Sequence, residues 1–365
     1  MNKRILAMIR KEFIQMRRDR LTLGMMLMLP IMQLMLFGFA INTDIKHVPI
    51  AVLDYSNSEE SRRLLESFTN SQYFVLKQRV SHPSEIAELI NQAQVKVGIV
   101  IDPDYALDLK RKRPAKVQVL VDASDPQVAG STMANAQGVG TTKSLEMLGV
   151  RDLPVNIEMR AWFNPDQVTS YHIVPGLIGV ILTMTMMMIT SMAIVRERET
   201  GTLEQLSTTP LGALELMIGK IVPYILVGYV QITVALLVGV IVFHVPIRGN
   251  LLLLYTLALL QIVAYLGLGL LVSTVAKTQQ QAMQMSFFLF LPTMLLSGFM
   301  FPRDGMPGPA QKLGLVMPLT YFLQILRGIV NKGLGIEYLW QFILPMLLLI
   351  VLILALAVRR FKQTQ

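Results

Sequence analysis

IVPGLIGVILTMTMMMITSMAIV, residues 173–195, carries no formal charge and is long enough to cross a hydrocarbon core, which takes roughly 20 apolar residues in a helix. The next four residues are Arg196, Glu197, Arg198 and Glu199. So abrupt a change from apolar to charged predicts a helix leaving a bilayer, and the pattern repeats along the chain. Further charge-free stretches cover residues 21–43, 221–247, 249–276, 278–302 and 338–358, so about six transmembrane helices are expected. A shorter apolar stretch at 313–326 contains Pro318. It predicts a re-entrant or interfacial helix rather than a crossing.

Composition agrees with a chain solvated by lipid. The 365 residues are 53% hydrophobic and only 16% charged, with a mean hydropathy of +0.51, where a soluble domain carries about 25% charged residues. The charges are segregated. Residues 44–172 hold 14 Lys/Arg and 16 Asp/Glu, and the rest of the chain holds 19 and 8. The net charge of +9 therefore belongs to segments flanking apolar stretches, where cations meet anionic lipid, and nucleic-acid binding is not expected. With no cysteine in the chain, disulfides, thiol catalysis and thiolate metal sites are excluded.

Residues 1–20 place Ile5, Ile9, Phe13 and Met16 at helical spacing among Lys3, Arg4, Arg10, Lys11, Arg17 and Arg18, which predicts an amphipathic interfacial helix. The apolar stretch behind it is far longer than a signal-peptide core, so residues 21–43 are expected to be an uncleaved first span. Basic residues at both ends, including Arg359, Arg360 and Lys362, predict cytoplasmic termini, with 359–365 as a cytoplasmic tail. Six spans then put residues 44–172 outside the cytoplasm. Lys220, at the mouth of the third span, is expected to snorkel to the interface.

Residues 44–172 alternate apolar strand patterns, at 48–53, 73–76, 95–101, 117–121 and 155–163, with helical patterns at 58–68 and 84–93. This predicts an α/β or α+β extracytoplasmic domain inserted between spans 1 and 2. Ser58 and Ser61 offer capping chemistry for the first helix, and Pro83 marks the start of the second.

The informative loop follows the second span. It runs over residues 196–219 and includes Thr200, Gly201, Thr202, Leu203, Glu204, Gln205, Leu206 and Pro210. Thr200 or Thr202 can cap a short helix that Pro210 would stop. Such a helix, presenting Leu203 and Leu206 on one side and carboxylates on another, suits docking of a soluble partner; a solvated loop is the plainer alternative. Residues 184, 186, 187, 188 and 192 are all Met. Met184, Met188, Phe299 and Phe301 are candidate contacts of an export path, since Met-rich surfaces adapt to varied apolar ligands, although lipid-facing packing would use the same residues. The spans lack interior charges, which disfavours ion-coupled transport. The four histidines, His47, His82, His172 and His244, have no metal-binding spacing. Asp122 and Asp125 are read as turn residues rather than cation ligands.

The run RERETGTLEQLSTTPLGALELMIGK, residues 196–220, resembles the signature of permeases of the type-2 ATP-binding-cassette (ABC) exporter class. KEFIQMRRDR at 11–20, VPIAVLDYSNSEESRRLLESF at 48–68, LSGFMFP at 296–302 and PLTYFLQILRGI at 318–329 extend the resemblance over nearly the whole chain. It implies a bacterial inner-membrane permease working as a homodimer or related heterodimer with two cytoplasmic ATPase subunits, and a periplasmic membrane-fusion adaptor for the outside domain. It also implies that Glu197, Glu199, Gly201, Thr202, Leu203, Glu204, Gln205, Leu206 and Pro210 lie in the coupling region, and that residues 1–20 form the N-terminal interfacial helix. ATP and Mg would sit on the partner ATPase. The phosphate-cradling motif G-x-x-x-x-G-K-[ST] is indeed missing here. Gly219 and Lys220 come nearest, but Leu214 and Ile221 stand where a glycine and a hydroxyl are needed. The chain thus reads as an exporter of drug-like or lipophilic compounds, neither enzyme nor cofactor carrier. The alternative is a membrane-anchored assembly or sensor protein whose outside domain binds a partner.

Overall fold

The computed structural model describes residues 2–18, 20–40, 47–111, 113–124, 126–148, 163, 164, 168–201 and 213–364. The chain divides into two compact units, one of residues 1–42 with 161–365 and the other of residues 43–160. The strand pattern expected at 155–163 falls almost entirely outside the described residues.

The smaller unit is an α/β layer. Its strands are β1 (Val48–Asp54), β2 (Phe74–Arg79), β3 (Val97–Ile101) and β4 (Val117–Val121), in the order β2-β1-β3-β4. β1 runs parallel to both neighbours, and β4 pairs antiparallel with β3. All five residues of β3 are buried, as a central strand covered on both faces requires. Edge strand β2 instead turns Lys77 and Arg79 out, which discourages pairing with another chain. One face carries Ile50, Val52, Ile99 and Ile101 against Leu64, Leu65 and Phe68 of α3 (Glu59–Asn70). The other carries Ala51, Leu53 and Val100 against Ile86 and Leu89 of α4 (Pro83–Asn91). Helix α3 begins at a full capping box: Ser58 accepts from the Ser61 backbone N–H, and Ser61 Oγ accepts from that of Ser58. A short helix, α5 (Tyr105–Lys110), precedes β4, and α6 (Pro126–Leu148) follows it. Lys96 holds Asp122 at 2.7 Å. That hydrogen bond and those from Ser124 bring the carboxyl down to about 2.

The larger unit is helical. Residues 2–18 form α1 and residues 20–40 form α2. The others are α7 (Ser170–Glu199), α8 (Ala213–Ile241), α9 (Leu251–Val275), α10 (Gln279–Leu296), α11 (Gly308–Gly314), α12 (Pro318–Arg327) and α13 (Ile336–Thr364). Among the described residues four helices, at 170–199, 218–241, 251–275 and 336–360, are long and apolar enough to cross a membrane, or five if a bent pair counts as one. That pair, Gly308–Gly314 with Pro318–Lys332, is bent by 80°. The apolar stretch at 313–326 is thereby split, because Pro318 cannot continue a helix but starts one well.

Helix α7 is central, with 72% of its most apolar window buried against 22% for α13. Helix α9 crosses it at Gly269, where a Cβ would sit 2.6 Å from the Met187 carbonyl oxygen; small residues permit such approach in lipid. Pro30, Pro175, Pro223, Pro292 and Pro345 lie inside helices; each leaves the carbonyl four residues back without an N–H, a serious cost where no water can replace it, and Pro30 and Pro175 show how two of those carbonyls are satisfied. Both carbonyls are served by an amide from another element. Gln231 Nε2 donates to the Met26 oxygen at 2.7 Å, left free by Pro30. Asn331 Nδ2 donates to the Tyr171 oxygen at 2.7 Å, left free by Pro175. Gln231 also accepts from Thr185 Oγ1 at 2.8 Å, so α2, α7 and α8 meet in one polar chain.

Candidate functional site

The four charges that end α7 are each directed, and described partners fix three of them. Glu197 is 5% exposed. Its Oε1 lies 2.8 Å from Lys11 Nζ and its Oε2 lies 2.6 Å from Lys220 Nζ. Lys220 is 1% exposed and also approaches Glu12 at 3.4 Å, and Lys11 reaches Glu12 at 3.1 Å. A charge inside a helical bundle is tolerable only when paired, so this cluster clips α1, the end of α7 and the start of α8 together. Burial works to lower the Lys11 pKa, but the hydrogen bond Lys11 donates to Glu197 and the charge of Glu12 hold it above its ordinary 10.5. Next to the cluster, a Cβ on Gly219 would stand 2.5 Å from Met8 Cγ, and the bare glycine is what lets α1 lie against α8.

The next two residues complement the partial charges of neighbouring helix ends. Arg198 Nη1 donates to the Ser273 and Ala276 oxygens, each at 3.0 Å, at the C-terminus of α9. The Glu199 carboxylate accepts from the Gln279 backbone N–H at 3.0 Å and its side-chain Nε2 at 2.5 Å, at the N-terminus of α10. Helix α7 then stops through Gly201, whose φ of +70° suits a glycine just past a helix end. The site thus joins α1, α7, α8, α9 and α10 around the root of one loop.

Among the residues expected in the coupling region, Glu197 is turned into the bundle, Glu199 is exposed beside α10, and Gly201 is half-buried, with nothing among the described residues within 4 Å of where a Cβ would stand. Thr202, Leu203, Glu204, Gln205, Leu206 and Pro210 lie outside the described residues. On the candidate path, Met184 and Met188 stand one turn apart on α7 and are half-buried. Phe299 is buried against Gly176, and Phe301 is 55% exposed. Lys220 departs from expectation: it folds inward onto Glu197 and Glu12 instead of snorkelling. Sequence reasoning also missed Lys11, Glu12 and Arg198. The available signal was Lys11-Glu12 on the same helix as Met8, a charged pair beside an apolar stripe.

The signature of the ABC-2 family transporter proteins matches residues 20–359. The chain belongs to the ABC-2 transporter family. It is 30% identical over 348 residues to the probable multidrug ABC transporter permease YbhR of Escherichia coli K12, covering 95% of both chains. It is also 30% identical over 337 residues to the probable multidrug ABC transporter permease YbhS of the same organism, covering 91% of this chain and 89% of the relative. A third relative, the inner membrane transport permease YhhJ of that strain, is 29% identical over 324 residues, covering 87% and 85%. This ABC-2 protein is a multi-pass membrane protein and the transmembrane permease subunit of an ABC exporter, which sets aside the reading as an anchored assembly or sensor protein. Membership implies pairing with an ATPase subunit and with another permease.

Proposed function

We propose that this ABC-2 permease exports drug-like or lipophilic compounds, and that a cytoplasmic ATPase drives it by pushing on residues 197–210. The supporting observation is the root of that loop: a displacement of the segment after Gly201 acts on an α7 terminus joined by charge to α1, α8, α9 and α10. A solvated loop would need none of those ties. Rigid helices tied at one end move as units, which a two-state transport cycle requires.

In this reading α2 and α10, of 21 and 18 residues, join α7, α8, α9 and α13 to make six spans, and the bent α11–α12 pair is re-entrant. Both termini are cytoplasmic in a bacterial inner membrane, and residues 44–172 face the periplasm, where an adaptor protein engages them. Two permeases, identical or related, bind two ATPase subunits, which hold the ATP and Mg. The names of the E. coli relatives support a multidrug cargo, and the uncharged interior of the spans suits one. The test is co-expression with the cognate ATPase and reconstitution into proteoliposomes. Lipophilic substrates should stimulate ATP hydrolysis and accumulate across the bilayer, whereas co-purification without stimulated hydrolysis by any lipophilic compound would remove the cargo assignment.

A further inference from the structure

The smaller unit contains a cavity of about 1100 Å³ between the sheet and α6, which the transport reading does not use. Its floor is apolar: Leu64 and Phe68 of α3 are buried there, and Val117, Val119 and Val121 of β4 are left only half-covered. An α/β layer that closed on itself would set Leu or Ile over those valines, but α6 brings Ala136, Gly140, Thr141 and Ser144 to that side. A Cβ built on Gly140 meets nothing within 4 Å, although glycine inside a helix is less stable than alanine. The volume lies just above the roughly 300–1,000 Å³ of small-molecule sites, and Met133 and Met147 stand exposed at its two ends, where flexible thioethers fit irregular apolar bodies.

Two cations, Arg113 and Lys143, belong to the lining. Glu146 pairs with Lys143 at 2.8 Å but is 67% exposed and stays outside the lining, so the charge turned toward the cavity is positive.

We propose that the space between β4 and α6 is a binding site for a single-chain amphipathic anion, its apolar body on the valines of β4 and its acidic group at Arg113 and Lys143. The chain has no cysteine, so Gly140→Cys in the full-length protein introduces a unique thiol into the cavity, and Ala87→Cys, exposed on α4 across the sheet, serves as control. Both proteins are placed in phosphatidylcholine nanodiscs and labelled with a water-soluble maleimide. Laurate at about ten times its dissociation constant should slow labelling at residue 140 about tenfold and leave residue 87 unchanged. Dodecyltrimethylammonium should not protect, and Arg113→Gln with Lys143→Gln should abolish protection by laurate. Repeating the assay in discs doped with lysophosphatidylglycerol, a single-chain anionic lipid, separates the sources: protection before laurate is added makes the ligand a bilayer lipid, and protection only afterwards makes it a soluble amphiphile. A thiol at 140 that is unreactive without ligand would mean the cavity is filled by the chain itself. That result, protection by neither amphiphile, or equal protection by both would overturn the proposal.

Discussion

Replacing Glu197 by alanine removes the carboxylate that two lysines share. Cutting one partner from a buried ion pair costs about 3–5 kcal/mol, because the surviving charge stays buried. Here Lys220 is 1% exposed and keeps the longer 3.4 Å contact to Glu12, while Lys11 is exposed enough to hydrate, with 42% of its side chain accessible. The lower end, about 3 kcal/mol, is therefore expected. At 2–4 °C per kcal/mol for a unit of roughly 250 residues, this lowers the unfolding midpoint by about 6–12 °C. Adding Lys220→Met removes the orphaned ammonium, and replacing a buried pair by apolar groups of similar volume is often neutral. Glu197→Ala with Lys220→Met should thus be more stable than Glu197→Ala alone. The assay is thermal unfolding of detergent-purified protein for the two single variants and the double, read as a double-mutant cycle. A single variant within about 0.5 kcal/mol of wild type, the ordinary range of surface changes, would refute the reasoning. So would a double variant showing the plain sum of two losses.

Three further outcomes follow from the same geometry. Gln231→Leu should cost about 1 kcal/mol, the scale of a hydrogen bond within a bilayer, and less in a Pro30→Ala background, where residue 30 can supply its own N–H to the Met26 carbonyl; thermal melts of the four proteins check this. Gly219→Leu should lift α1 from α8 and raise protease sensitivity within residues 2–18, and Met8→Ala should partly restore protection by making room. In the smaller unit, the Asp122 pKa is depressed from 3.8 to about 2. A depressed carboxyl stabilises above its unfolded value and loses that contribution as pH falls through the folded one. A carboxyl chemical-shift titration should place the Asp122 midpoint near 2, and Lys96→Met should move it upward.

Much of the helical unit was legible because lipid imposes one strong rule, a long stretch without charge, and residues 173–195, 251–275 and 338–358 obey it plainly. Helix α10 was harder, since Gln279, Gln280, Gln281 and Gln284 dilute its apolar character. β1 and β3 could be read from their continuous apolar runs, and α3 from Ser58 and Ser61. Helix α6 gave little signal, because Gly130, Gly138 and Gly140 with many small residues make no stripe of either period. The charged run 196–199 pointed to the site, but not to its internal ties. Lys11 and Lys220 are 209 positions apart, and pairing them through Glu197 takes three helices brought together in space. A lone lysine at the mouth of a span reads the same whether it turns to the headgroups or into the bundle.

Export driven by a separate ATPase requires the segment after α7 to face the cytoplasm, across the membrane from residues 44–172. Because the chain has no cysteine, Glu204→Cys and Ala87→Cys can each be labelled alone, in cells with permeable outer membranes, with a maleimide that cannot cross the inner membrane. Residue 87 should react at once, and residue 204 only after the inner membrane is opened. Equal labelling of both before opening would place the loop on the wrong side to meet any ATPase, and would contradict the mechanism.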